Sequence, residues 1–162
     1  MNEYLIQEGN QDDLDLVKHL WEKLCRYHCD LSVHFRDRFK DATWEKRKRR
    51  LLDGSRDILL NYVVEKESGQ MVGYCISTIA KEDGTVGEVS SIYVEETYRR
   101  SGLGTDLILR ALEWLQLKET KIQKLLVGVG NEEVLEFYKQ FGFVPFHIEL
   151  QRVEKKGLER PA

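Results

Sequence analysis

The sequence predicts a single α/β (α+β) domain on a mixed, mostly antiparallel sheet of about six to seven strands flanked by about four helices. Three observations lead there. Extended and helical patterns alternate in the order β, α, α, three consecutive β, then α, β, α, β. The turn segments KESG and KEDGT join the three consecutive strands as a meander. No linker, repeat or low-complexity stretch interrupts the order, and 162 residues suit one domain with a real core.

YLIQE, residues 4–8, reads as the first strand. Asn10 can cap the helix that follows, with Asp12 and Asp13 in its first turn, where carboxylates meet the positive end of the helix dipole. Leu14, Val17, Leu20, Trp21 and Leu24 then recur at helical spacing. After a polar join, DATWEKRKRRLLDG gives a second helix that Gly54 ends. DILLNYVVE (57–65), QMVGYCISTIA (70–80) and VGEVSSIYV (86–94) are the strands of the meander. A helix then runs to about Leu117 with Leu107, Ile108, Ala111, Leu112 and Leu115 on its inner face. KLLVGVG (124–130) is a short buried strand, and NEEVLEFYKQF (131–141) is a helix stopped by Gly142. FVPFHIELQRV (143–153) is a last strand, so the domain is expected over 3–153, with a frayed tail at 154–162.

Hydrophobic residues at 41% and charged residues at 33% describe a soluble globular chain. A net charge of −3 provides no field to recruit nucleic acid or an acidic membrane. MNEYLIQEGN has neither the basic nor the apolar region of a leader, and no apolar run reaches membrane-spanning length. Cys25, Cys29 and Cys75 make an odd set, read as free thiols in a reducing, cytoplasmic compartment. His28 lies near two of them, but no second cluster completes a tetrahedral site, and no metal is expected.

YRRSGLGTD, residues 98–106, stands where an extended pattern gives way to a helical one. The first turn of a helix leaves N–H groups without intrahelical partners, and with the dipole these form an anion site. Gly102 and Gly104 would let diphosphate oxygens approach the main chain, and Arg99 and Arg100 add charge at the rim. A P-loop would need a lysine where Gly104 meets Thr105, and a Rossmann fingerprint a third glycine where Leu107 stands. Alone, the motif reads equally as a tight strand-to-helix turn.

Arg99-x-x-Gly102-x-Gly104 after a β-rich strand resembles the acyl-CoA pyrophosphate loop of the GNAT superfamily of N-acetyltransferases. A second marker of that superfamily, an Asn before a helix ending Phe-Tyr-x-x-x-Gly-Phe, is matched by Asn131 and by Phe137-Tyr138 through Gly142-Phe143. The element order resembles the family fold over roughly residues 3 to 153. The resemblance implies a sheet splayed between the strands 86–94 and 124–129, with acetyl-CoA as cosubstrate in the opening. Its pantetheine arm would pair with main-chain groups of Ile92, Tyr93 and Val94. Its diphosphate would sit on Arg100, Ser101, Gly102, Leu103, Gly104 and Thr105 beside Arg99. A homodimer belongs to the same family expectations.

An amine with pKa about 10.4 is neutral in roughly one molecule per thousand near pH 7.4, so a general base helps. Some family members carry a glutamate eleven residues before the loop's first position, the interval from Glu88 to Arg99. Glu88 is expected on one face with Ser90 and Ile92, about 20 Å from Val94. It reads equally as a strand-edge carboxylate facing solvent. The resemblance makes Tyr138 the general acid for the departing thiolate and Asn131 a partner of the pantetheine; by residue type alone Tyr138 reads as a core aromatic beside Phe137 and Phe141, and Asn131 as a helix N-cap. Cys75 has no evident His partner, so transfer is expected to be direct, in a ternary complex.

Lys46 to Arg50 are five consecutive basic residues, but successive positions wrap round a helix and form no single basic face. Asp12, Asp13, Asp15, Glu22, Tyr27, His28, Asp30 and His34 fall where this superfamily shapes its acceptor pocket, without naming a substrate. The expectation is an N-acetyltransferase acting on a primary amine: a polyamine, an aminoglycoside, or a peptide or protein amine. The alternative is a non-catalytic acyl-CoA-binding regulatory or partner module on the same fold.

Overall fold

The computed structural model describes residues 3–153 and 160, and among them a five-stranded sheet lies in sequence order. Strands β1 (Tyr4–Gly9), β2 (Ser55–Glu65), β3 (Met71–Ala80) and β4 (Val86–Val94) are antiparallel, and β5 (Ile122–Leu125) joins β4 in parallel. Helices α1 (Lys18–Leu31), α2 (Arg36–Lys40) and α3 (Trp44–Gly54) lie between β1 and β2 in the chain. Helix α4 (Leu103–Leu117) makes the crossover from β4 to β5, and α5 (Val134–Lys139) follows.

Each face of the sheet buries its own set of side chains. Leu14, Val17, Leu20, Trp21, Trp44 and Leu51 pack on Ile58, Leu60, Tyr74 and Ile76 on one side. On the other, Leu103, Leu107, Ile108, Ala111 and Leu115 of α4 cover Val63, Val72, Cys75, Ile79 and Val89. Burial of each large apolar side chain contributes roughly 1.5–3 kcal/mol. Leu24 and Leu112, expected inside, are only half-buried at the margins. The cap at Asn10 forms as predicted: its Oδ1 accepts from Asp12 N at 2.8 Å, and its own N–H donates to Asp13 Oδ2 at 2.9 Å. The turn it opens is a 3-10 segment, Gln11–Val17, and α1 begins only at Lys18.

Two irregularities shape β4 and its edge. Ile76 faces Ser91 and Ser77 faces Val89, which leaves Ser90 as an extra residue, a β-bulge. Ser90 Oγ meets Thr78 Oγ1 and Ser91 Oγ meets Tyr74 Oη, each at 2.7 Å, so both serines turn to the α1–α3 side. Val89 and Ile92, three apart, therefore both pack on the α4 side. The common face expected for Glu88, Ser90 and Ile92 holds for the first two only, because the bulge resets the alternation. Secondly, β5 pairs with Val86–Val89 and ends at Leu125. Beyond that point no strand among the described residues pairs with the β5-side edge of β4 from Ser90 to Val94, while β3 still holds its other edge, and the sheet is open there.

The C-terminal elements differ from the sequence reading. The strand expected at 124–130 is Ile122–Leu125, and the helix expected at 131–141 is Val134–Lys139. The strand expected at 143–153 does not form, which brings the sheet below the expected six to seven strands. Alternation of Val144, Phe146, Ile148 and Leu150 suits a strand, but a strand also needs a ladder, and Pro145 has no N–H to give one. Those side chains stay exposed, Phe146 by 93% and Leu150 by 90%. Helix α2 occupies the stretch read as a polar join. The expected frayed tail lies outside the described residues, Arg160 excepted. No helix among the described residues is long and apolar enough to cross a membrane.

Candidate active site

At the open end of β4 the chain makes a short 3-10 turn, Glu96–Tyr98, and reaches α4 through Arg99–Gly102. Arg100 (φ 60°) and Gly102 (φ 89°) are both left-handed. Gly102 is the N-cap of α4 and offers no capping side chain, so the first-turn amides of Leu103, Gly104 and Thr105 have neither an intrahelical acceptor nor a side-chain cap. The two glycines earn their places differently. A Cβ at Gly102 would meet open space, and only the positive φ demands glycine there. A Cβ at Gly104 would lie 3.5 Å from Phe137 Cζ, an ordinary contact, so the protein's own packing tolerates a side chain there.

Arg99 is folded back on the strand end. Its Nε donates to the Val94 carbonyl at 2.8 Å, and its guanidinium carbon lies 5.3 Å from the Tyr27 ring and 5.4 Å from the Tyr93 ring. Lys23 and Glu95 form an ion pair beside it, tying α1 to the same corner. Of the three residues expected to pair with pantetheine, Val94 thus already has its carbonyl engaged, while Ile92 and Tyr93 flank the open edge.

Tyr138 stands on α5 with its ring edge-on to Phe137 and Phe143, at 5.3 and 6.3 Å between centroids. Burial pushes its phenol up to about 12, and nothing among the described residues hydrogen-bonds its hydroxyl. Cys75 lies in the same core, fully buried, its thiol pushed up to about 12 by burial, which makes it a poor nucleophile. Asn131 is placed otherwise than expected. The N-cap of α5 is Glu133, and Asn131 Oδ1 accepts from Tyr27 Oη at 3.1 Å. The helix starts too late for Asn131 to cap it, because 131–135 closes through i to i+3 bonds, Val134 N to Asn131 O and Leu135 N to Glu132 O.

Glu88 sits half-buried in a cleft of about 200 Å3 on the α3 side, with Thr78, Ser90, Arg47, Arg50 and Lys124 around it. Its Oε2 is 3.7 Å from Lys124 Nζ, its direct neighbour across the β4–β5 ladder. Arg47 Nη2 donates to the Ser90 carbonyl at 2.6 Å, and burial is the main cause that lowers the pKa of its guanidinium. Sequence reasoning dispersed the basic run and missed Arg47. The signal was its spacing: Trp44 and Leu51, three before and four after, are both buried, which puts Arg47 on the inner side of α3.

The acidic and aromatic residues proposed for an acceptor wall have other employment. Asp12 and Asp13 belong to the cap, and Asp15 accepts from Trp44 Nε1 and pairs with Lys48, both at 2.7 Å. His28 stacks on Phe39 at 5.7 Å, and burial lowers its pKa. Asp30 and His34 are exposed, and Glu22 borders a separate hollow with Trp21 and Cys25. None of these residues lines the Glu88 cleft.

A meander opened beside a parallel crossover, with an uncapped helix start at the opening, defines a class, and the comparison with known families agrees with it. Residues 18–143 match the family described as "Acetyltransferase (GNAT) family", and the chain belongs to it. An uncharacterised N-acetyltransferase of Methanocaldococcus jannaschii is 32% identical over 148 residues, 86% of this chain and 60% of that protein; the chain spans 60% or less of the curated relatives it matches. Among solved structures, a tetramutant of the BH1408 protein from Bacillus halodurans superposes with a TM-score of 0.70 at 17% identity, over 91% of this chain and 98% of that one. AAC(6')-Iy in complex with a CoA-containing bisubstrate analog superposes with a TM-score of 0.62 at 15% identity, over 92% of this chain and 97% of that one. At such identities the likeness is one of fold.

Proposed function

We propose that this chain is an acetyl-CoA-dependent N-acetyltransferase that acts on a primary amine by direct attack in a ternary complex. The observation that carries the reading is the start of α4: Gly102 at φ 89° leaves a first turn of bare amides beside a sheet edge open from Ser90 to Val94. A diphosphate held on those amides directs an extended arm back along β4. Glu88 lies six residues before Val94, about 20 Å at strand rise, which is where such an arm would bring a thioester. Family membership and the CoA-containing analog bound to AAC(6')-Iy support the same reading. The three free thiols fit a reducing, cytoplasmic setting.

In this scheme Glu88 takes a proton from the attacking amine, the C–N bond forms, the C–S bond of the thioester breaks, and the sulfur leaves as CoA thiolate, which is neutralised as the proton held by Glu88 returns through solvent. Tyr138 faces a thiol of pKa about 8.5 with a phenol at about 12. Outright proton transfer would run uphill by roughly 5 kcal/mol, so its economical role is a hydrogen bond to the sulfur as charge develops there. The carbonyl of Val94 becomes available once Arg99 turns from it to the phosphates. Free-thiol release from acetyl-CoA across polyamines, aminoglycosides, amino acids and peptides tests the proposal. Turnover of at least one amine is expected. Tight CoA binding with no thiol released from any of them would make the chain a binding module instead.

A further inference from the structure

We propose that the amine acceptor carries an oxyanion, a carboxylate or a phosphate, close to its amine, and that Arg47 and Arg50 receive it; the inference rests on reading the chain as an N-acetyltransferase with Glu88 at the amine. The cleft around Glu88 holds three cations, Arg47, Arg50 and Lys124, against one carboxylate. Lys124 is the cation that Glu88 faces, at 3.7 Å. Arg47 and Arg50 form no ion pair among the described residues.

Arg47 is the more telling of the two. It is half-buried on the inner side of α3, feels Glu88 only at longer range than an ion pair, and a guanidinium withdrawn from water without a paired anion is unfavourable. One of its donors is spent on the Ser90 carbonyl, which fixes the side chain over the bulge of β4. The remaining donors form the planar fork that matches a carboxylate or phosphate with two parallel bonds. Arg50, one helical turn on and exposed, lines the same cleft. Bound there, the oxyanion would bring the acceptor's amine beside Glu88.

The same cations argue against polyamines and aminoglycosides, whose extra ammonium groups would be driven off by like charge. A cleft of about 200 Å3 is also smaller than the roughly 300–1,000 Å3 that drug-sized ligands occupy, so it suits a small amino-acid-like or amino-sugar-phosphate head. Positive charge near the amine serves the reaction as well, because it disfavours the ammonium form. The acceptor then gives one proton from nitrogen to Glu88, its nitrogen bonds the acetyl carbon, the C–S bond breaks, and the CoA sulfur departs as thiolate, neutralised as the proton on Glu88 returns through solvent.

Matched acceptors decide the matter: an amino acid against its carboxamide, glucosamine 6-phosphate against glucosamine, and spermidine as the polycation, each followed by thiol release. At least one anionic member is expected to exceed its neutral partner by about tenfold or more in kcat/KM. Which pair shows the gap tells a carboxylate from a phosphate. Arg50→Gln should raise the KM of the anionic acceptor about tenfold and so shrink that gap, with the KM of acetyl-CoA within about twofold. Arg47→Gln should do the same, with its melting temperature checked because it also holds Ser90. Faster turnover of neutral or polycationic acceptors, or a gap untouched by both variants, overturns the inference while the enzyme reading stands. Acetyl-CoA binding without thiol release in every arm removes the enzyme reading and the inference with it.

Discussion

Burial that holds the Tyr138 phenol at about 12 keeps it a donor across the whole working pH range. Tyr138→Phe removes one donor and little volume. Its kcat should fall about 10²-fold, the scale for loss of one such bond in a developing-charge site, with the KM for acetyl-CoA within about twofold. Unchanged kcat in steady-state assays would take Tyr138 out of the mechanism. Glu88→Gln keeps the shape of the cleft and removes the base, so kcat/KM should fall about 10²-fold or more, least at high pH where amines deprotonate unaided. A loss that is equal at every pH would mean Glu88 is not the base. Residues such as Gly102 were legible in the sequence because a positive φ selects the residue type. Arg47 was not, because its importance comes from where α3 docks, which no local rule states.

Gly104 separates binding from folding at the level of the helix. Alanine there gains about 0.5–1 kcal/mol of helix propensity and meets Phe137 at an ordinary distance, so Gly104→Ala should melt no lower than the parent. The same methyl would stand among the bare amides, and acetyl-CoA affinity should fall by about tenfold or more. Calorimetric titration beside a thermal melt checks both halves; full affinity would refute the loop assignment. Gly102→Val is the contrasting case, strained by φ 89° whatever the ligand does. Strand β4 was read to the residue, since a β-branched run bounded by turns carries its own signal. Segment 143–153 was not, because alternation reports a pleat but pairing depends on an edge supplied from elsewhere in the chain. Helix α5 was overextended for a related reason: Asn131 has the chemistry of a cap, yet Tyr27, 104 residues away, claims its side chain.

At the scale of the molecule, one buried and one half-buried thiol set an alkaline limit. Burial pushes Cys75 from 9.0 to about 12 and Cys25 from 9.0 to about 11. Well below pH 9 both are protonated whether folded or unfolded, and stability does not depend on their ionisation. Above pH 9 the unfolded chain releases protons that the folded chain retains, so stability falls as pH rises toward the folded values. For the fully buried Cys75 the loss between pH 9 and 10.5 is roughly 2 kcal/mol. Urea unfolding under reductant at pH 8 and 10.5 should show the decline, and Cys75→Ala should remove about that much of it. An equal decline in the variant would exclude Cys75 as its source. Two motifs in the right order made the family legible from the sequence alone, while the acceptor chemistry waited on the cleft that α3, β4 and β5 close together.

Ser90 adds one residue to β4 that β3 does not match. Without it the two strands would run in step, Ile92 and Tyr93 would trade sides, and the edge turned toward β5 would straighten. The gap in this sheet begins where that extra residue stands, because β5 leaves β4 at Val89, one position before Ser90. A one-residue deletion there would shift every later side chain of β4 to the opposite face, whereas a substitution would leave the faces as they are.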